Sequence, residues 1–274
     1  VGYLTFNNHI ATAESELISA ITTLSDSNVT DLVLDLRYNS GGYLAIASQL
    51  AYMIAGPSAS GRTFELLQFN DKHPSTNPVT GNALTPTPFY SNSIGLSVDE
   101  GTALPYLNLS RVFVLTSADT CSASEAIMNG LRGIDVEVIQ IGGTTCGKPY
   151  GFYGLDNCGT TYFSIQFRGV NAKGYGDYSD GFSPVNTATV EGEPLPGCVV
   201  NDDYEHLLGD SNEAMLNAAL NYRTTSGSCP ALPVSVSEKR GMPSTVSAKI
   251  DSAQLLPMIR PNIPGKVVLE QRSQ

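Results

Sequence analysis

The chain has 274 residues, a formal net charge of −11 and 41% apolar residues, enough for one sizeable core and ordinary for a globular protein. The acidic balance excludes the basic footprint that nucleic acid requires and disfavours an anionic membrane surface; it is read as serving solubility. No stretch approaches the ~18 continuous apolar residues of a membrane span, and no basic segment followed by an apolar one marks a signal peptide.

The chain opens directly on strand-like residues, Val1–Phe6, so a longer precursor is expected. A helix is predicted over Ala13–Leu24, where Leu17, Ile18, Ile21 and Leu24 fall at helical spacing. Asp31–Arg37 is a short apolar run of the buried parallel type, ending in the turn Asn39-Ser40-Gly41-Gly42. Tyr43–Ile54 reads as an apolar helix halted by Gly56-Pro57. This strand, helix, strand, helix order predicts an α/β unit. Residues 57–108 are rich in Ser, Thr, Asn, Pro and Gly and predict an irregular insertion with one strand near Thr63–Phe69. Further elements are expected at Arg111–Thr116 (strand), Ser122–Leu131 (helix), Val136–Ile141 (strand), Cys158–Phe167 (antiparallel strand) and Ser211–Tyr222 (amphipathic helix). One catalytic domain over 1–230 is expected, followed over 231–274 by a Pro- and Ser-rich extended tail.

There are five cysteines and three histidines, without Cys-x-x-Cys spacing, which argues against zinc. Cys146 and Cys158 flank a Gly/Tyr/Pro-rich segment, and Cys198 and Cys229 bracket a helical stretch. The expected bridges are therefore 146–158 and 198–229, worth roughly 3 and roughly 3.5 kcal/mol on the loop-entropy account, with Cys121 left odd. Bridges of this kind imply an oxidising compartment, periplasmic or extracellular.

Two turns follow buried strands and open helices: Asn39–Gly42 and Thr120–Glu125. In an α/β sheet ligands bind beyond the carboxyl ends of the strands, where helix-start N–H groups can hold an oxyanion. Glycines at 41 and 42 let the backbone approach a substrate carbonyl. Ser122 at the second junction is a candidate nucleophile; helix capping is the commoner role for a lone serine there. Lys148, in the loop Gly142–Lys148 after the next strand, is a candidate general base if burial lowers its pKa. Resemblance to the tricorn-type and chlamydial-type proteases, which take a histidine base from an early segment, implies His9, after the first strand, as the alternative base, with an acid such as Asp177 or Asp180 behind it. His73 and His206 read as surface residues, and Gly176–Gly181 as a turn rather than a calcium loop.

Leu34–Gly42, Cys121–Glu125 and Gly142–Lys148 together resemble the DLR-x-N-x-GG, SASE and T-x-GK segments of the tail-specific (carboxy-terminal processing) serine proteases, over roughly residues 1–222. The resemblance implies a crotonase/Clp-protease-like spiral of ββα units and no metal or cofactor. It implies Ser122 as nucleophile, Lys148 as base and Glu125 as the acid positioning the lysine. It also implies an oxyanion hole from Ala123 N–H and Gly41, with Gly42 a second candidate. Protein or peptide substrates follow. Pro149 stands where that family usually has Gly, and nothing in the chain corresponds to its PDZ module. The alternative is a non-catalytic ligand- or peptide-binding module of the same fold; retention of Ser122, Glu125 and Lys148 together favours the enzyme.

Overall fold

The computed structural model describes residues 1–186, 192–225, 227–231 and 266–267. In chain order these form β1 (Gly2–Thr5), α1 (Ala13–Asp26), β2 (Leu32–Asp35), α2 (Leu44–Ala55), β3 (Thr63–Gln68), β4 (Thr87–Pro88), β5 (Arg111–Thr116) and α3 (Ala123–Gly133). There follow β6 (Glu137–Gly142), β7 (Tyr150–Phe152), β8 (Leu155–Asn157), β9 (Thr160–Tyr162), β10 (Phe167–Val170), β11 (Phe182–Pro184), β12 (Glu193–Leu195), β13 (Gly197–Val199), α4 (Ala214–Thr224) and β14 (Lys266–Val267).

A central sheet runs β1-β2-β5-β6-β13, with every neighbouring pair parallel. Its strands are apolar on both sides of the pleat because both sides are covered. Leu32, Leu34, Val112, Val114 and Val138 share one core with α1, α2 and α3. Val33, Phe113, Leu115, Ile139 and Ile141 pack on the other side with Met215, Leu216, Ala218 and Ala219 of α4. A second sheet, β14-β7-β10-β3-β4, is antiparallel except for β14–β7. Its strand β3 contacts α3. This is a mixed α/β fold. No helix among the described residues is long and apolar enough to cross a membrane.

Arg37 fastens the end of β2 to α4. Its buried guanidinium pairs with Asp35 (3.0 Å), Asp202 (2.7 Å) and Glu213 (2.8 Å). Glu213 also caps α4, its carboxylate accepting the N–H groups of Met215 and Leu216.

The expected strands and helices are present, with ends shifted by a few residues. The irregular insertion supplies β3, near the expected strand, and the short β4. It is fixed from beneath by buried Glu14 of α1, which accepts N–H bonds from Ile94, Leu96 and Ser97. The single strand expected over Cys158–Phe167 is instead the β8–β9 hairpin, with Cys158 at its turn, followed by the first residue of β10. Of the expected tail, only residues 231 and 266–267 lie within the described residues.

Candidate active site

Ser122 stands between β5 and α3, immediately before the helix, at φ 58° and ψ −113°. That conformation costs a non-glycine residue of order 1–3 kcal/mol and persists only where its surroundings fix it. Here they do. Cys121 N–H donates to the Asn39 carbonyl at 3.1 Å, Ser124 Oγ donates to the same carbonyl at 2.9 Å, and Ser122 N–H donates to Glu125 Oε2 at 2.9 Å. Ser122 Oγ is buried with no hydrogen-bond partner. Ser122 and Glu125 stand in the capping-box positions at the start of α3, the Glu125 carboxylate accepting the Ser122 N–H.

The turn after β2 lies against this junction. A Cβ at Gly41 would sit 2.9 Å from each of Ala123 N, Cys121 O and Ser122 Cβ, at a φ of 99°. Only glycine leaves the space in front of the Ala123 N–H open. The Gly41 N–H itself donates to Asn39 Oδ1 at 3.0 Å, whereas no partner engages the N–H groups of Gly42 or Ala123 among the described residues. Gly42 and Ala123, one in each turn, thus carry uncommitted N–H groups.

The loop after β6 reaches the same place because β5 and β6 are adjacent and parallel, so their carboxyl ends emerge side by side. Buried Glu125, on the first turn of α3, organises that loop. Its carboxylate accepts Thr145 Oγ1 (2.6 Å), Gly147 N–H (2.8 Å) and Lys148 N–H (2.8 Å) as well as Ser122 N–H. Glu125 thus meets Lys148 at the backbone rather than at the ammonium. Burial raises the Glu125 pKa despite these donors. The half-buried Lys148 ammonium lies 5.6 Å from the Phe152 ring centroid. Burial lowers its pKa, with the Glu125 charge acting in the opposite direction.

A disulfide joins Cys121 to Cys146, with Cα atoms 5.2 Å apart, and a second joins Cys198 to Cys229. The expected 198–229 bridge is present. The expected 146–158 bridge is not: Cys158 is free and exposed in the β8–β9 hairpin. Short sequence separation suggested 146–158, but the parallel neighbours β5 and β6 bring the residue before Ser122 to the residue two before Lys148.

His9 is buried, and its backbone brackets the glycine turn: His9 N–H donates to Gly41 O and Tyr43 N–H to His9 O. Its Nδ1 lies 3.0 Å from Asn39 Oδ1. Asn39 Nδ2 donates to the Phe6 carbonyl at 2.8 Å, so Oδ1 faces the imidazole and Nδ1 carries the proton. Nε2 is then a lone-pair acceptor, buried and without a partner. Burial lowers the His9 pKa to about 4, against the opposing Asn39 bond. Asp177 and Asp180, expected as orienting acids, are exposed; a neutral amide orients the ring instead. His206 pairs with Asp203 at the surface. The motif-based reading assigned no role to the Asn39 side chain, although it sits within the quoted DLR-x-N-x-GG segment.

The family model for peptidase family S41 matches residues 1–151, which span β1 through the start of β7. The chain belongs to peptidase family S41. A solved structure described as an S41 protease from Bacteroides fragilis is 27% identical, with a TM-score of 0.65, covering 82% of this chain and 55% of its own. The photosystem II D1 C-terminal processing protease is 20% identical, with a TM-score of 0.48, covering 78% of this chain and 45% of its own. The chain thus spans about half the length of these solved relatives. No curated protein matches it in sequence. The S41 match takes in the glycine turn, Ser122, Glu125 and Lys148.

Proposed function

We propose that this chain is a serine endopeptidase that hydrolyses peptide bonds of protein substrates through an acyl-enzyme on Ser122, with Lys148 as general base. The observation that carries this reading is Ser122 held in a strained strand-to-helix turn, its hydroxyl uncommitted, beside two free backbone N–H donors. Neutral Lys148 leaves the Phe152 ring and takes the Ser122 Oγ proton as Oγ attacks the scissile carbonyl. The developing oxyanion is held by Ala123 N–H and by the glycine turn; Gly41 N–H serves if it exchanges Asn39 for substrate, and Gly42 N–H is already free. The lysine proton passes to the leaving amine, and water then attacks the acyl-enzyme with Lys148 again as base. Glu125 acts by fixing the loop that delivers Lys148. The two disulfides and the family suit a periplasmic or extracellular protein.

A second reading keeps Ser122 and makes His9 the base. The fixed Nδ1–H tautomer and the free Nε2 favour it, with Asn39 in the orienting role. Cleavage of an unfolded protein substrate by purified wild type and Ser122→Ala tests the shared core of both readings. Loss of cleavage in a variant with unchanged folding is expected; undiminished cleavage refutes the assignment.

A further inference from the structure

Strand β7 begins two residues after Lys148 and carries Phe152, the ring against which the lysine ammonium rests. On one side it pairs with β10: Gly151 O accepts from Gln166 N–H and Pro149 O from Gly169 N–H. Backbone groups alternate direction along a strand, so the polar groups of Tyr150 and Phe152 face the opposite edge. Without a further strand that edge would be an open template for an extended peptide. In this chain it is occupied. β14 pairs with β7 in parallel, Lys266 opposite Gly151 and Val267 opposite Phe152. The surrounding sequence, Gly265-Lys266-Val267-Val268-Leu269, has the β-branched, apolar character of a strand within an otherwise Pro- and Ser-rich stretch.

We propose that the outer edge of β7 is the peptide-docking strand of this enzyme and that the chain's own Lys266–Val267 occupies it in the resting state, in competition with substrate. This rests on the endopeptidase reading for its consequence and on strand pairing alone for the contact. It deepens that reading by giving the substrate's form: an extended, β-branched apolar segment added to the sheet beside the lysine. Because β7 carries the ring that holds Lys148, occupancy of its edge and placement of the base belong to one segment.

Three measurements on the full-length chain test this. With Lys266 opposite Gly151 in a parallel pair, the Lys266 N–H points at β7 and the Val267 N–H away from it, so proline at 266 removes a ladder donor. Lys266→Pro should therefore speed amide exchange at Phe152 at least about tenfold relative to wild type, with core β5 amides unchanged. A labelled synthetic peptide of residues 262–271 should bind Ser122→Ala/Lys266→Pro at least about tenfold more tightly than Ser122→Ala, since the tethered competitor is gone. With Ser122 intact, Lys266→Pro should lower KM for an unfolded substrate without changing kcat. Unchanged Phe152 exchange together with equal peptide binding would overturn the docking proposal. Faster exchange and tighter peptide binding with no cleavage by any Ser122-containing form would leave docking standing and overturn the endopeptidase reading instead.

Discussion

At the residue scale the site depends on backbone conformations that only a few side chains tolerate. Ser122 sits where glycine is at ease, so Ser122→Gly should unfold at higher denaturant than Ser122→Ala, by about 1 kcal/mol, while both lack activity. Equal stability in chemical denaturation would contradict strain at this position. Gly41→Ala places a methyl on the Ala123 N–H; at least about a hundredfold fall in kcat is expected, as for loss of one oxyanion donor. The two candidate bases separate by pH. Lysine must lose its proton to act, and burial lowers the Lys148 pKa from its ordinary alkaline value. Activity carried by Lys148 therefore climbs on the alkaline side of neutrality and vanishes in Lys148→Met. Activity carried by His9 would instead rise in the acid range, given a pKa near 4, and vanish in His9→Ala. His9 also has a stability signature. Its folded pKa lies below the unfolded value of about 6.5, so the unfolded chain binds the proton more readily. Its contribution is fully present above that value and is lost as pH falls from about 6.5 towards 4, at up to about 1.4 kcal/mol per pH unit. His9→Gln should flatten that part of the denaturation profile.

At the element scale, three turns from adjacent strand ends form the proposed site, and covalent and ionic ties hold them in place. The Cys121–Cys146 bridge fastens the Ser122 turn to the Lys148 loop. Its loss removes about 3.5 kcal/mol on the loop-entropy account. Cys121→Ser/Cys146→Ser should therefore melt earlier and, at temperatures where it remains folded, show a larger fall in kcat than Cys198→Ser/Cys229→Ser. The reverse order in kcat would show that the tie is not coupled to the site. Arg37 illustrates how much of a motif can be structural: the DLR arginine is fully buried among three carboxylates, away from Ser122's own hydrogen bonds. Removing it leaves buried carboxylates unpaired, and Arg37→Met should destabilise by roughly 3–5 kcal/mol.

At the scale of the whole molecule, the parallel core was legible because its strands are short apolar runs joined by helices of clear 3.6-residue period. Leu34, Val114 and Ile141 announce themselves without any knowledge of their neighbours. The second sheet was not. β7, β8 and β9 are three residues each and rich in Gly, Tyr, Thr and Asn, too short for alternation to register. The placement of Ser122, Glu125 and Lys148 on neighbouring turns followed from strand–turn–helix order. The roles of Asn39 and of the Cys121–Cys146 bridge did not, because both arise from which strand ends are adjacent, a property of sheet order rather than of local sequence. The domain division at about residue 230 stands as a proposal that β14 qualifies: residues beyond it return to the second sheet.

The central claim is that Ser122 is an activated nucleophile. Intact-mass analysis with peptide mapping after exposure to a fluorophosphonate probe tests it most directly. The account predicts one adduct per chain, on Ser122, formed faster as pH rises with Lys148 intact and absent from Ser122→Ala. Peptidase activity that survives in a chain carrying no adduct at Ser122 after full exposure, or an adduct on another serine that abolishes activity, would contradict it.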